Sequence, residues 1–425
     1  MDDAKPIRIV VAGQGYVGLP LAIRAVEVGF DVVGYDTDPR RIQQLAQGYS
    51  YVEDIRPARV ADALRTGRYL PTTSADDLAG FDIAVITVPT PLTNGAPDLS
   101  CIEQAARTVG GHLRPGTLVV LESTTYPGTT EEVVGPLLES ASGLRAGADF
   151  RLGYSPERID PGNPDWALVN TPKVVSGMDD RSRQSVQRFY DSLVDTTVPV
   201  TGTREAELAK LLENTFRQVN IALVNELAMF ANGLGIDIWE AIDAAATKPF
   251  GFMSFRPGPG VGGHCLPIDP RYLAWHTQQT LGLRFRFVEL ASDINEHMPD
   301  YVVHRLVLAL NTRRLPVNGT RVLLLGLAYK KNTGDVRESP ALQIAHRLLD
   351  LGADVAYADP FITDDAVIDP RLSRVPLDRH QIDGADAVVV LADHDDFDLD
   401  LVAGTAKYVL DTRHRLPAGP DVEYL

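Results

Sequence analysis

Cysteine is almost missing from these 425 residues: only Cys101 and Cys265 are present. Two thiols cannot make a disulfide framework for so long a chain, so either sulfur acts as a thiol, and a reducing cytoplasmic setting is expected. Long apolar runs are missing too. None approaches the ~20 residues of a membrane span, so no membrane insertion is expected. The opening Met1-Asp2-Asp3-Ala4-Lys5-Pro6 has no charged-then-apolar leader, and export by a signal peptide is not expected either. Basic charge is short, 40 Lys and Arg against 57 Asp and Glu, a formal net charge of −17. Such a surface repels a phosphate backbone and argues against a nucleic-acid partner, whereas a few aimed cations and helix N-termini can still hold a small anion. No Cys/His spacing matches a metal site, so no metal is expected. Lysine is scarce: Lys5, Lys173, Lys210, Lys248, Lys330, Lys331 and Lys407 are all there is.

The length suits two or three domains. β-Branched runs at 7–12, 31–36, 83–88 and 118–123 alternate with amphipathic stretches, which predicts an α/β fold with a doubly wound parallel sheet. Residues 203–232 carry apolar side chains at helical spacing without proline, and predict one long helix. Helices are expected at 237–246, 271–281 and 300–311, with Pro299 in a first turn. After the turn Pro316-Val317-Asn318-Gly319 the alternation resumes at 321–327, 354–357, 387–391 and 408–410. The expected organisation is a first Rossmann-like domain (1–200), a helical middle built on the long helix (201–312) and a second Rossmann-like domain (313–425).

Gly13-Gln14-Gly15-Tyr16-Val17-Gly18 follows the first strand and opens a helix. The glycines allow a tight turn, close approach of a pyrophosphate to backbone N–H groups, and helix packing on the strand. Asp36 ends the second strand, where a carboxylate accepts both ribose hydroxyls of NAD and repels the 2′-phosphate of NADP. Arg40 and Arg41 keep NADP open. Thr87-Val88-Pro89-Thr90-Pro91 and Glu122-Ser123-Thr124-Thr125-Tyr126-Pro127-Gly128 stand at carboxyl ends of strands, where open α/β sheets place ligands. Simple strand termination and capping, with Thr129 and Glu132 as a capping box, are the alternatives. Ser155-Pro156-Glu157-Arg158 leaves Glu157 as either a positioned base or a loop carboxylate paired with Arg158. Lys210 and Asn214, at i and i+4 of the long helix, either polarise one oxygen together or hydrogen-bond on the helix surface.

Residues 257–270 fix an unusual backbone, with four glycines and two prolines in 257–263, and present Cys265 ahead of a helix whose N-terminus lowers a thiol pKa. Asp269, four residues on, can hold a water. Cys101 reads as packing. The run Gly326-Leu327-Ala328-Tyr329-Lys330-Lys331-Asn332-Thr333-Gly334-Asp335-Val336-Arg337-Glu338-Ser339-Pro340 follows a strand and precedes a helix, a second phosphate-type loop with Lys330 and Arg337 as anion partners.

In combination and in order along nearly the whole chain, these motifs resemble the UDP-glucose/GDP-mannose dehydrogenase superfamily. The segments ESTTYPGTTEE, SPERIDPGN, TKPFGFM and PGPGVGGHC look most like its UDP-N-acetylglucosamine 6-dehydrogenase branch. The resemblance implies an NAD domain, a nucleotide-sugar domain and a homodimer through the long helix, with a UDP- or TDP-sugar as substrate. It further implies a four-electron oxidation of the sugar C6 hydroxyl to a uronic acid through a thiohemiacetal and thioester on Cys265. On that likeness Lys210 and Asn214 stabilise an oxyanion, Asp269 and Thr124 position water, and Glu157 is the base of hydrolysis. Arg158, Phe250, Gly251, Phe252, Gly262 and Lys330 join in holding the nucleotide-sugar. Gly13, Gly15, Tyr16, Val17, Gly18, Asp36, Arg41, Val88, Pro89, Thr90, Thr124 and Arg337 face NAD.

A TDP-glucose 6-dehydrogenase shares much of the pattern. A two-electron hydroxyacid dehydrogenase of the 6-phosphogluconate type also carries Lys and Asn at i and i+4 of a long helix. It needs neither the cysteine loop nor a second nucleotide domain. A non-catalytic nucleotide-sugar sensor would not require every one of these side chains.

Overall fold

Two parallel sheets of identical strand order dominate the computed structural model, which describes residues 6–52, 54–160, 163, 165–263, 265–362 and 368–425. Pro161 and Gly162 of the expected Glu157 loop and His264 beside Cys265 lie outside the described residues, as do residues 1–5. The chain separates into two compact units, Met1–Glu213 with Arg271–Gly282, and Asn214–Pro270 with Leu283–Leu425.

In the first unit the strands are β1 (Arg8–Ala12), β2 (Asp31–Tyr35), β3 (Tyr69–Thr72), β4 (Ile83–Ile86), β5 (Leu118–Leu121) and β6 (Arg151–Tyr154), in the order β3-β2-β1-β4-β5-β6. Ile9, Val10 and Val11 are fully buried because both sheet faces are covered, the reason parallel strands read as continuous apolar runs. A short parallel pair, β7 (Lys173–Val175) and β8 (Thr197–Pro199), completes this unit with the helix Asp180–Asp191, capped by the Asp179 carboxylate on the Ser182 N–H.

The second unit repeats the plan with β9 (Arg321–Leu325), β10 (Asp354–Ala358), β11 (Ser373–Arg374), β12 (Ala387–Val390), β13 (Val409–Asp411) and β14 (Val422–Tyr424), ordered β11-β10-β9-β12-β13-β14. The long helix Thr203–Leu234 begins in the first unit and continues into the second. No helix among the described residues is long and apolar enough to cross a membrane.

Three local expectations need correction. Pro299 does not start a helix; it lies inside Arg286–Thr312. The buried row Val288, Ala291, Ile294, Met298, Val302 and Leu306 runs through it, so packing outweighs the one backbone bond that proline removes. Thr129 forms no capping box: its hydroxyl meets Thr125 Oγ1 and the Tyr126 carbonyl. The strands expected to reach residues 88, 123 and 327 end two residues earlier, since the backbone there leaves the ladder and turns into the loops that follow.

Candidate functional site

The turn after β1 is shaped by what its glycines exclude. A Cβ on Gly18 would lie 1.8 Å from the Gly13 carbonyl oxygen, and one on Gly13 2.6 Å from that of Thr87, so neither position accepts a side chain. A Cβ on Gly15 meets nothing within 4 Å: the turn is open at that one point. Asp36 at the end of β2 is buried and accepts the N–H groups of Gln14 (2.8 Å) and Asp38 (2.9 Å), with Arg41 3.4 Å away. Tyr69 holds the Gln14 side chain at 2.7 Å and Tyr51 donates to the Gln14 carbonyl. Tyr16 is exposed and Val17 half-buried beside them. Thr87 Oγ1 donates to the carbonyls of Ala12 and Gly13, tying the end of β4 to this turn; Val88, Pro89 and Thr90 follow at the same sheet edge. An open Gly15 between closed glycines, beside an anchored acid, fits the pyrophosphate and ribose of NAD.

The edge beyond β5 and β6 carries a buried charge cluster. Lys173 of β7 places its ammonium 2.9 Å from Glu122 Oε1 and 3.3 Å from Glu157 Oε2. Tyr190 donates to the same Glu122 oxygen at 2.5 Å. Glu157 is therefore not paired with Arg158, whose guanidinium reaches Glu213 (2.7 Å) and the Pro172 carbonyl (2.6 Å). Burial pushes the Glu122 carboxyl up, with Lys173 opposing. Burial alone would lower Lys173, but its two carboxylates hold it above the ordinary lysine range. Breaking such a buried pair by removing one partner costs about 3–5 kcal/mol.

A third carboxylate ties the Thr124 loop to the long helix. Glu207 accepts the N–H groups of Gly128 (2.6 Å) and Thr130 (2.9 Å) and the Thr130 hydroxyl (2.6 Å). Burial raises its pKa from 4.5 to about 7 against those hydrogen bonds. The folded state thus holds this proton more tightly than the unfolded chain, and the stability it gives is complete below about pH 4.5 and lost as pH rises to about 7. Thr124 itself is half-buried. One turn after Glu207, Lys210 is buried.

In the second unit the glycine-rich loop is clamped from both sides. The Gly258 N–H bonds to Asn225 Oδ1 (2.9 Å), and Asn225 to Asn295 (2.9 Å). A Cβ on Gly262 would meet the Glu338 carbonyl and Tyr329 at 2.7 Å, while the Gly263 N–H bonds to the Arg337 carbonyl at 3.0 Å. Held this way, Cys265 is exposed. The helix Asp269–Leu281 starts four residues later, and the Cys265 carbonyl accepts the N–H groups of Ile268 and Asp269, so the thiol stands one turn ahead of the helix rather than in it. Asp269 is buried and accepts Asn214 Nδ2 at 2.6 Å; Asn214 is turned to Asp269, not to a helix-surface bond with Lys210. Phe250 and Phe252 are exposed, Gly251 has φ +67°, and Lys248 stacks over the Phe250 ring at 5.0 Å.

The loop 326–339 after β9 carries half-buried Lys330 and exposed Arg337, the latter chelating Asp335. Behind it the buried Asp359 accepts the N–H groups of Leu327, Ala328, Phe361 and Ile362 and contacts His394 Nε2 at 3.1 Å. The Asn332 N–H donates to His394 Nδ1 (2.8 Å), which makes Nε2 the protonated nitrogen and Asp359 its acceptor. Sequence reasoning missed Lys173, Tyr190, Glu207 and this His394–Asp359 pair. Only Lys173 left a signal, a rare lysine at the start of a short apolar strand.

Three family models match in succession: the NAD binding domain of the UDP-glucose/GDP-mannose dehydrogenase family over residues 7–194, its central domain over 204–297 and its UDP binding domain over 323–418. A UDP-N-acetyl-D-mannosamine dehydrogenase of Pyrococcus horikoshii is 38% identical over 92% of this chain and 90% of its own. The chain belongs to the UDP-glucose/GDP-mannose dehydrogenase family. A UDP-N-acetyl-D-glucosamine 6-dehydrogenase of Pseudomonas aeruginosa is also 38% identical, over 92% of both chains. The solved P. horikoshii UDP-ManNAc dehydrogenase superposes with a TM-score of 0.89 at 35% identity, covering 98% of this chain and 99% of that one. The protein is thus an oxidoreductase, a nucleotide-sugar dehydrogenase that uses NAD.

Proposed function

We propose that the protein oxidises the C6 hydroxyl of a UDP-N-acetylhexosamine, UDP-N-acetylglucosamine being the first to test, to the uronic acid in two oxidations joined by a covalent bond to Cys265. The observation that carries this reading is the exposed thiol on a doubly clamped glycine loop, with buried Asp269 four residues on; the names of the two relatives support the sugar class. NAD held by the Gly13–Gly18 turn and Asp36 would supply the hydride acceptor for both oxidations. The Cys265 thiolate adds to the aldehyde carbon, and the resulting tetrahedral carbon is the hydride donor that a second oxidation needs. Lys210 and Asn214 stabilise the developing oxyanion, and Asp269 and Thr124 position water. Glu157 takes the proton of that water when it attacks the thioester. Lys330, Arg158, Gly262 and residues 250–252 serve the nucleotide-sugar, and Arg337 serves NAD. On this reading residues 1–200, 201–312 and 313–425 act as cofactor, central and nucleotide-sugar domains. Two NADH should form per sugar consumed, counted by absorbance against the acid produced. A ratio of one, with an aldehyde or ketone as product, overturns the mechanism.

The same proposal includes a homodimer. The long helix has a second apolar face: Leu211, Ala222, Val224 and Ala228 are buried beside Lys210, Asn214, Gln218 and Asn225, while Leu212, Phe216, Leu223, Leu227, Phe230 and Leu234 are 42–73% exposed. A stripe of that size marks an association surface, and a second copy in isologous contact would cover both stripes at once. Leu223→Asp should move the protein from dimer to monomer in sedimentation velocity; an unchanged dimer places the interface elsewhere.

A further inference from the structure

We propose that Lys173 is a positioning residue for the reaction: its buried ammonium, 3.3 Å from Glu157 Oε2, holds that carboxylate turned, and Glu122 with Tyr190 holds Lys173 in place. The inference rests on the reading of Glu157 as the base of thioester hydrolysis. Glu157 Oε1 accepts the N–H groups of Arg158 (2.6 Å) and Ile159 (2.5 Å), which uses both its lone pairs. Oε2 has one lone pair on Lys173 and one left over. The atom that can take a proton is therefore the one beside the ammonium.

In the hydrolytic step the water oxygen bonds to the thioester carbon, its proton goes to Glu157 Oε2, the carbon–sulfur bond breaks and the Cys265 thiolate leaves with the electron pair. No electrons change hands. The Lys173 ammonium fixes the position of the oxygen that receives this proton. The charged and titratable groups packed here are Glu122 beyond β5, Lys173 of β7, Tyr190 of the helix Asp180–Asp191, and Arg158, which is turned to Glu213. The Lys173 ammonium also lies 5.1 Å over the Tyr190 ring. Glu122 Oε2 is buried without a hydrogen-bond partner, so that carboxylate is placed for Lys173 rather than for a network of its own. Lys173 and Glu122 are too deeply buried to serve as surface solvation (side chains 3% and 0% exposed).

The test uses the whole enzyme with NAD and UDP-N-acetylglucosamine, following the NADH burst, the adduct by intact-protein mass spectrometry, and the pH profile of steady-state turnover. Lys173→Met should keep the burst, slow the later turnover on the order of 10²-fold and move the acid limb up by about one pH unit. Lys173→Arg, which keeps the charge, should leave the limb near its original place. Glu122→Gln removes the competing negative charge and should move the limb down by about half a unit. A merely structural cluster would lower folded yield in all three and move no limb, which overturns the proposal, as does an upward shift in Glu122→Gln. If Lys173→Met does not fold, Glu122→Gln decides: a lower limb supports the role and an unchanged or higher one overturns it. Glu157→Gln separates the two readings. If it stalls with adduct while Lys173→Met behaves as wild type, only the role of Lys173 falls. If it neither stalls nor accumulates adduct, Glu157 is not the base and the inference falls with it.

Discussion

Cys265→Ala is expected to abolish formation of the uronic acid while leaving both ligands bound. The exposed thiol belongs to a loop that other contacts hold: Gly258 to Asn225, Gly263 to Arg337, and Gly262 against Tyr329. Deleting one exposed sulfur leaves those contacts alone, so the fold and the calorimetric affinities for NAD and nucleotide-sugar should change by less than about threefold. Turnover to acid should fall by at least ~10³-fold, the scale of losing a covalent nucleophile. An alanine variant that still makes acid near the wild-type rate would dispose of the covalent route, whatever the stoichiometry of NADH.

The second large effect concerns the turn after β1, where two glycines should fail in different ways. Gly18→Ala forces a methyl to 1.8 Å from the Gly13 carbonyl and 2.4 Å from Thr87 Oγ1. The turn must open, so both the melting temperature and NAD affinity should drop, the latter by at least ~10²-fold, or about 2.7 kcal/mol. Gly15→Ala adds its methyl to open space and should melt like the wild type. It occupies the point where a pyrophosphate approaches the backbone, so NAD affinity should still fall by at least about tenfold. NAD titration followed by fluorescence, beside a thermal melt, reads both. Wild-type affinity in Gly15→Ala would mean that the dinucleotide does not come close to Gly15.

What could be read in advance follows physical range. The α/β class, the long helix and the glycine turn are local: strand runs, helical periodicity and a spacing of three glycines are written in consecutive residues. The Glu157 partner is not local. Glu157 and Lys173 are 16 residues apart, Glu122 and Tyr190 are 68 apart, and only the fold of β5, β6 and β7 brings the four together. The neighbour in sequence, Arg158, was the natural pairing and goes elsewhere. The continuation of the helix through Pro299 was hidden for the same reason, since burial of a distant core decides it. Along the long helix the apolar period was legible but its burial was not; nothing in the spacing says that Leu212, Phe216, Leu223, Leu227 and Phe230 stay exposed while Lys210 and Asn214 are buried.

The two sheets share one strand order, yet their first turns have parted company. In the first, helix Gly18–Glu27 starts close behind β1, and Asp36 receives two backbone N–H groups. In the second, residues 326–339 intervene before helix Pro340–Asp350, and Asp359 is saturated by four N–H groups and the His394 ring. A carboxylate with every lone pair engaged has none to offer a ribose diol. Counting sheets is therefore not counting dinucleotides: the repeated architecture provides one redox seat per chain, and the other copy is freed to recognise cargo.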